Sequence, residues 1–166
     1  MKGKRTNLEG KPCAIARALG VIGDWWSILI IRDALAGKRR FGEFHASLGV
    51  AKNILSTRLQ KLVEHGVLSV ASASDGSAYN EYVLTPKGEK LYLVTAALWQ
   101  WGEEFCFAPG ELGYDMVDKE TRKPFQPLEL KAKSGRIAGP RDIRAQPRDK
   151  SKLARPKSGA RRLHAP

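Results

Sequence analysis

The sequence VAKNILSTRLQKLVEHG, residues 50–66, constrains the fold of this chain more than any other stretch. Its large apolar residues are spaced so that they fall on one face of an α-helix, namely Leu55, Leu59, Leu62 and Val63. The other face carries short polar side chains and cations, and residues 52–61 include no acid. Because an ordinary solvated face mixes acids with bases, this polar face needs a functional explanation.

The segments on either side of this helix predict a small unit built around it. The pattern FGEFHASLG precedes it and ends at Gly49, so two short helices meet at a tight turn. Two extended runs follow in residues 67–85, around the turn-forming sequence SDGS. Upstream, residues 13–23 and 25–36 have helical patterns, and Asp24 is a suitable N-cap for the second one. We therefore predict a mainly α fold with a small β part, a winged helix-turn-helix.

A longer helix is predicted over residues 86–107, with Thr85 as its cap and Pro86 in its first turn. Its apolar residues are separated by three and four positions, as in a heptad seam: Leu91, Val94, Leu98, Trp101 and Phe105. A seam this narrow favours packing against a helix of a second copy, so we predict a homodimer with these residues in its interface. Packing against the chain's own first helix is the alternative.

Charge and composition divide the chain further. The net charge is +12 over 166 residues, and residues 131–166 alone contain 12 Lys or Arg and 2 Asp or Glu. We predict a flexible arm over residues 1–12 and a DNA-binding and dimerisation domain over 13–110. A β-hairpin appendix with the turns KETRK and KSGR is predicted over 111–136. Residues 137–166 are basic and poor in aromatic residues, which predicts a disordered tail.

Several classes of protein find no support in the sequence. Two cysteines are too few for a disulfide scaffold and lack metal-ligand spacing. No glycine-rich phosphate loop, nucleophile motif or carboxylate pair is found, so we expect no enzyme activity, no cofactor and no metal. Neither a signal peptide nor an apolar run long enough for a membrane span is present, which predicts a reduced, cytoplasmic protein without membrane association.

Residues 13–107 resemble the HxlR-type transcriptional regulators, which are winged-helix proteins related to the MarR group. The resemblance rests on the cysteine that opens the first helix, the run IGDWWSILIIR, the RRF before the short helix, and the sequences LSTRLQKLVEHGVL and YVLTPKG. It implies a homodimer that binds a pseudo-palindromic operator in double-stranded DNA. The chain departs from the family at Ala51, where serine is frequent, and in YNEY (79–82), where an arginine is frequent.

The acid-free helix face suits contact with DNA. A major groove admits one α-helix, and its base edges offer donors and acceptors that short polar side chains can meet. The candidates for base contacts are Asn53, Ser56, Thr57 and, as the strongest, Arg58. The candidates for contacts with the phosphate backbone are Lys52, Lys61, Arg39, Arg40 and Ser77.

Each of these assignments has a plainer alternative. Asn53, Ser56 and Thr57 could be ordinary solvated residues, and the sequence GKRR could be a solvated turn. Arg58 could instead brace the wing or pair with Glu64 or Glu81.

The signal that such a regulator would sense is less constrained. A thiol near a helix N-terminus has its thiolate favoured, and the resemblance implies that Cys13 could sense oxidants or electrophiles. The alternative is an inert, buried Cys13, and Cys106 is expected to serve packing. A further hypothesis is a small-molecule effector that binds among the tryptophans. The alternative is that these residues serve packing in the core or the interface: Trp25, Trp26, Trp99 and Trp101. A different class of function also stays open: a winged-helix protein-interaction module whose basic tail gives nonspecific affinity for nucleic acid.

Overall fold

A computed structural model describes Leu8 and residues 10–73, 75–111 and 113–147. The helices are α1 (Ala14–Ile22), α2 (Trp25–Leu35), α3 (Phe41–Leu48), α4 (Lys52–Glu64), α5 (Pro86–Glu89) and α6 (Tyr92–Phe105), and the strands are β1 (Leu68–Ser72) and β2 (Asn80–Leu84). The chain divides into two compact units, Met1–Gln126 and Pro127–Pro166. All of these helices and strands belong to the first unit, and the winged helix-turn-helix fold is confirmed.

Local capping sets the helix boundaries where the sequence predicts them. The Asp24 carboxylate accepts a hydrogen bond from the Ser27 amide at 3.0 Å and another from the Ser27 hydroxyl at 2.6 Å, which begins α2. Helix α3 ends at Gly49, whose φ of 61° is left-handed and therefore suits glycine. This turn brings α4 across α3 in the helix-turn-helix arrangement.

The core lies under α4 and α2. Phe44 of α3 is fully buried, as are Ile30 and Ile31 of α2, and the first strand contributes Leu68. Helix α4 adds three residues that are also 0% exposed, Leu55, Leu59 and Leu62. These are members of the predicted apolar stripe, and Val63 packs at the edge of the same cluster. Burial of this stripe fixes which face of α4 remains outside.

The wing is a two-stranded antiparallel sheet. Strand β1 pairs with β2 from Leu68 opposite Leu84 to Ser72 opposite Asn80. The Tyr82 amide donates to the Arg39 carbonyl at 2.8 Å, so the loop before α3 lies beside β2. This contact ties the wing to the helix-turn-helix.

The predicted helix over residues 86–107 is in fact two helices, α5 and α6, with a break at Lys90 and Leu91. Thr85 caps α5 as predicted, its hydroxyl accepting from the Gly88 amide at 3.1 Å. A Cβ at Gly88 would collide with the Val67 carbonyl, so α5 lies directly against the start of the wing. That contact fixes α5 to the core, and the chain must turn before α6 can begin. Leu91 consequently packs against the core cluster instead of extending the α6 seam.

The appendix contains both predicted turns, each closed by an isolated β-bridge instead of paired strands. Val117 pairs with Pro124 around KETRK in the first unit, and Lys131 pairs with Ile137 around KSGR in the second. Local order continues past residue 136, since a 3-10 turn spans Pro140–Asp142. The tail prediction for residues 148–166 and the arm prediction for residues 1–7 lie outside the described residues.

Within the described part of the chain, no single helix is both long enough and apolar enough to cross a membrane. Helices α1 and α2 meet the length and composition together, but they are bent by 78° at the break between them.

Candidate DNA-binding surface

The polar face of α4 lies on the outside of the molecule. Lys52, Asn53, Ser56 and Thr57 are exposed, as is Gln60 one turn further along. No acid interrupts this face between residues 52 and 61. Lys61 is half-buried at its margin. We call Lys52, Asn53, Ser56, Thr57 and Gln60 the α4 polar face.

Thr57 is already partly engaged within the helix. Its hydroxyl donates to the Asn53 carbonyl at 2.8 Å. A threonine hydroxyl has one proton and two acceptor lone pairs, so Thr57 presents acceptor capacity and its methyl group to the outside. Asn53 and Ser56 carry the donor capacity of this part of the face.

Arg58 does not extend from the α4 polar face in this structure. Its Nε lies 3.1 Å from Asp24 Oδ1, and the two side chains are only 17% and 22% exposed. Arg58, which we expected to be the strongest base contact, is therefore paired within the chain. Its partner is Asp24 and not Glu64 or Glu81, the acids that the sequence suggested. The cause is the packing of α4 on α2, which brings the α2 cap beside Arg58.

The GKRR turn is held at the edge of the wing. The Glu43 carboxylate accepts hydrogen bonds from the Arg39 and Arg40 amides, both at 2.7 Å. These two bonds lower the pKa of Glu43 below its ordinary value. The turn is therefore an ordered structural element, and both guanidinium groups project from fixed backbone positions.

Both arginine side chains reach carboxylates of the wing. Arg40 Nη2 lies 2.5 Å from Asp75 Oδ2 and 3.7 Å from Glu81 Oε1, and Arg39 Nη1 lies 3.7 Å from Glu81 Oε2. The Arg40 guanidinium holds the pKa of Asp75 well below its ordinary value, with Ser77 adding to the effect. Asp75 raises the pKa of Arg40 in return. We call Arg39, Arg40, Asp75 and Glu81 the wing ion cluster.

Ser77, the remaining predicted contact, lies inside the wing turn. Its amide donates to Asp75 Oδ1 at 3.1 Å, and its side chain is half-buried. Its role in this structure is to shape the turn. Lys87 is likewise engaged, since its Nζ donates to the His65 carbonyl at 2.6 Å.

A second exposed surface is apolar. The exposed residues of α6 include four members of the predicted seam, Val94, Leu98, Trp101 and Phe105, and we call these four the α6 apolar face. On α1, Ile15 is 71% exposed and Leu19 is 51% exposed. Cys13 is exposed immediately before α1, which removes the alternative of a buried thiol, and Cys106 is exposed rather than packed.

Sequence reasoning missed the acidic partners of this surface. Asp24 was assigned only a capping role, Asp75 only turn chemistry, and Glu81 only an alternative pairing with Arg58. Each lies far along the chain from the arginine that it contacts, so periodicity offers no signal for the pair. Within the described residues, no group of His, Cys, Asp or Glu is arranged to hold a metal ion.

Comparison with known proteins agrees with this geometry. The structure superposes on the crystal structure of PA1607, a provisionally assigned transcription factor, with a TM-score of 0.81 and 45% identity, covering 85% of this chain and 99% of that one. It also matches PA1374 of Pseudomonas aeruginosa, another provisional transcription factor, with a TM-score of 0.59 and 37% identity over 83% and 94% of the two chains.

A curated relative adds sequence support. An uncharacterized HTH-type transcriptional regulator of Mycobacterium tuberculosis is 38% identical over 96 residues, 58% of this chain. The match spans 61% of that relative's own length, so it supports the shared domain and not the whole relative.

The fold and the exposed α4 polar face define a helix-turn-helix transcriptional regulator of the winged type. The assignment to a family follows from the HxlR-like helix-turn-helix model, which matches residues 21–109, more than half of the chain. The chain belongs to the HxlR-like helix-turn-helix family.

Proposed function

We propose that this protein is a sequence-specific regulator that binds a pseudo-palindromic operator in double-stranded DNA as a homodimer. The observation that carries the proposal is the α4 polar face, which is exposed, free of acid between residues 52 and 61, and rigidly backed by buried leucines. An acid on that face would be repelled by phosphates, whereas short polar groups can pair with base edges in a major groove.

Within this proposal the residues of α4 have three roles. Asn53, Ser56 and Thr57 lie centrally on the exposed face and read base edges. Lys52 and Lys61 lie at its margins and contact phosphates, which set position without carrying sequence information. Arg58 has a positioning role, because its ion pair with Asp24 joins α4 to the start of α2.

In DNA binding, the arginines of the wing ion cluster exchange their carboxylate partners for phosphates. Arg39 is about half exposed, at 53%, and Arg40 is 37% exposed. A phosphate is a good bidentate partner for a guanidinium. DNA bound beside the wing would therefore compete with Asp75 for Arg40.

The homodimer is supported by the apolar side chains that α1 and α6 each leave exposed. Contiguous exposed apolar residues are typical of interfaces, and a two-fold dimer presents two recognition helices to two half-sites one helical turn apart. Cys13 is exposed directly before α1, so modification of its thiol would place a new group beside the exposed apolar residues of that helix. We propose Cys13 as a site where an electrophile or oxidant lowers operator affinity.

The proposal is tested by genome-wide footprinting followed by binding measurements on the operator found. Asn53→Ala should lower operator affinity while leaving affinity for unrelated DNA nearly unchanged, with a cost of about 1–3 kcal/mol. Lys52→Ala is the matched control on the same helix, and it should weaken binding to both DNAs alike. Absence of discrete sites in the footprint, or equal losses for both variants on both DNAs, would contradict specific recognition by α4.

A further inference from the structure

A groove with a volume of about 560 Å³ lies between α2 and α6 in the unit Met1–Gln126. Leu29 and Leu35 of α2 form one side, and Ala96, Leu98 and Trp99 of α6 form the other. Small-molecule sites commonly enclose about 300–1,000 Å³ and are lined mainly by apolar and aromatic side chains. We call this space the α2–α6 groove. It shares no lining residue with the α4 polar face or the wing ion cluster.

The third wall of the groove comes from outside the family region. Met116 and Lys119 line it, and both follow residue 109, where the match to the family ends. The likeness to PA1607 covers 85% of this chain, a larger share than residues 1–109 could supply, so part of this extension is common to both proteins. The appendix therefore builds onto the winged-helix domain a space that the domain alone would leave open.

This third wall is locally ordered. Asp118 Oδ1 accepts from the Thr121 amide at 2.7 Å and from the Glu120 amide and the Thr121 hydroxyl, each at 3.0 Å. These hydrogen bonds, that of the Thr121 amide foremost, lower the pKa of Asp118. The bridge between Val117 and Pro124 closes the same turn. Lys119 is thus presented by a defined loop.

The charged residues that line the groove are both cations. Arg32 and Lys119 line it, and no Asp or Glu does. Arg32 is oriented by Asp33, with Nη2 2.8 Å from Oδ1, and its side chain remains 46% exposed while that of Asp33 is 2% exposed. Asp33 also has Lys38 Nζ at 3.6 Å, so it faces two cations. An apolar space edged by Lys119 and a held guanidinium is complementary to a ligand with an apolar body and one negative charge.

We propose that the α2–α6 groove binds a small aromatic carboxylate. The aromatic body lies among Leu29, Leu35 and Trp99, and the carboxylate is oriented toward Lys119 and Arg32. This goes beyond the proposed function, because such binding requires no DNA. A second copy of the chain is the competing occupant, since Leu98 belongs both to the groove and to the α6 apolar face.

The chain provides a reporter for this site. It contains two methionines, Met1 and Met116. Methyl-¹³C labelling of methionine in the full-length protein therefore gives two methyl resonances, which Met116→Leu assigns. We use 2-naphthoate as the probe and the neutral 2-naphthamide as its matched comparison. The Met116 resonance should shift and saturate with 2-naphthoate while that of Met1 stays in place. Affinity for 2-naphthamide should be about fivefold lower, because the amide cannot form the partly exposed ion pair of the carboxylate.

Variants separate the groove from nonspecific apolar binding. Lys119→Gln should lower affinity for 2-naphthoate about fivefold and leave 2-naphthamide unchanged. Lys123→Gln, in the same loop but outside the groove, should change neither. Ala96→Trp should fill the space and abolish the Met116 shift.

The proposal is overturned by any of three results in the wild-type dimer or its variants. The first is a Met116 resonance that does not respond to millimolar 2-naphthoate, as would happen if a second copy of the chain covered the groove. The second is equal affinity for 2-naphthoate and 2-naphthamide. The third is an unchanged affinity for 2-naphthoate in Lys119→Gln. None of these measurements uses DNA, so a failure here is distinct from a failure of operator binding.

Discussion

The α4 polar face and the α6 apolar face are both exposed, but the chain supports them differently. Beneath α4, Leu55, Leu59 and Leu62 are fully buried. Helix α6 has no buried residue in the described structure, and Trp101 and Phe105 are 59% and 61% exposed. Helix α4 is therefore complete within one chain and exposes polar groups, whereas α6 exposes its large apolar groups. The difference shows that a helix with an exposed polar face can bind a ligand while it remains open to water. A helix with an exposed apolar face requires another protein surface to cover it.

The largest expected effect comes from breaking the apolar face. Trp101→Glu should convert the proposed dimer to a monomer, because a charge would replace an aromatic side chain in the proposed interface. Loss of paired half-site binding should then lower operator affinity about 100-fold or more. Sedimentation velocity and fluorescence anisotropy measure the two consequences.

The control for this variant introduces the same residue outside the face. Lys90→Glu lies at the break between α5 and α6 and is exposed. It should remain dimeric. A wild-type protein that sediments as a monomer at micromolar concentration would refute the assignment of the α6 apolar face to a dimer.

A smaller effect is expected from chemical change beside α1. Alkylation of the wild-type protein with N-ethylmaleimide should lower operator affinity about tenfold, within the usual range for coupling between two sites. Because Cys106 is also exposed, the Cys13→Ser and Cys106→Ser proteins are compared. Only Cys13→Ser should keep its affinity after alkylation. Equal loss in both variants would remove Cys13 from this role.

The next effect distinguishes a positioning role for Arg58 from base reading. A double-mutant cycle with Asp24→Asn and Arg58→Ala should give a coupling free energy of unfolding of about 1 kcal/mol, since both side chains are mostly buried. If Arg58 acts by positioning α4, Asp24→Asn should weaken operator binding as Arg58→Ala does. A large loss confined to Arg58→Ala would instead show that the arginine contacts DNA.

Sequence patterns predicted the elements that depend on neighbouring residues. The Asp24 cap, the end of α3 at Gly49 and the buried stripe of α4 are local features, and the structure confirms them. The break before α6 was missed because it arises from contact between Gly88 and Val67, which belong to different elements. The pairing of Arg58 with Asp24 was missed for the same reason.

The candidate site shows the same limit. The exposure of Asn53, Ser56 and Thr57 follows from helical periodicity, so sequence alone could place them. The wing ion cluster depends on how the GKRR turn lies beside β2, which no local pattern encodes. Met116 and Lys119 come to α6 through the path of the appendix, so the α2–α6 groove also required the three-dimensional structure.

The smallest expected effect concerns the wing ion cluster, in which an acid of the chain pairs with an arginine that we propose to contact DNA. In this structure Asp75 Oδ2 forms an ion pair with Arg40 Nη2 at 2.5 Å. Its pKa lies below the ordinary value, so the carboxylate is charged throughout the neutral range, and the ion pair is lost only as pH falls through that lowered pKa. A phosphate must displace Asp75 before it can pair with Arg40, which reduces affinity for any DNA.

Asp75→Asn should therefore raise affinity for unrelated DNA by about twofold to threefold at low salt, as expected for one exposed ion pair. It should also make the dependence of log affinity on log salt steeper by about one phosphate contact. Glu120→Gln, an exposed acid in the appendix, controls for the change in net charge. Arg40→Ala should cancel the gain from Asp75→Asn, because the liberated guanidinium is its source. A gain that persists in the Asp75→Asn, Arg40→Ala double variant would show that the acid acts through general repulsion of DNA and not through Arg40.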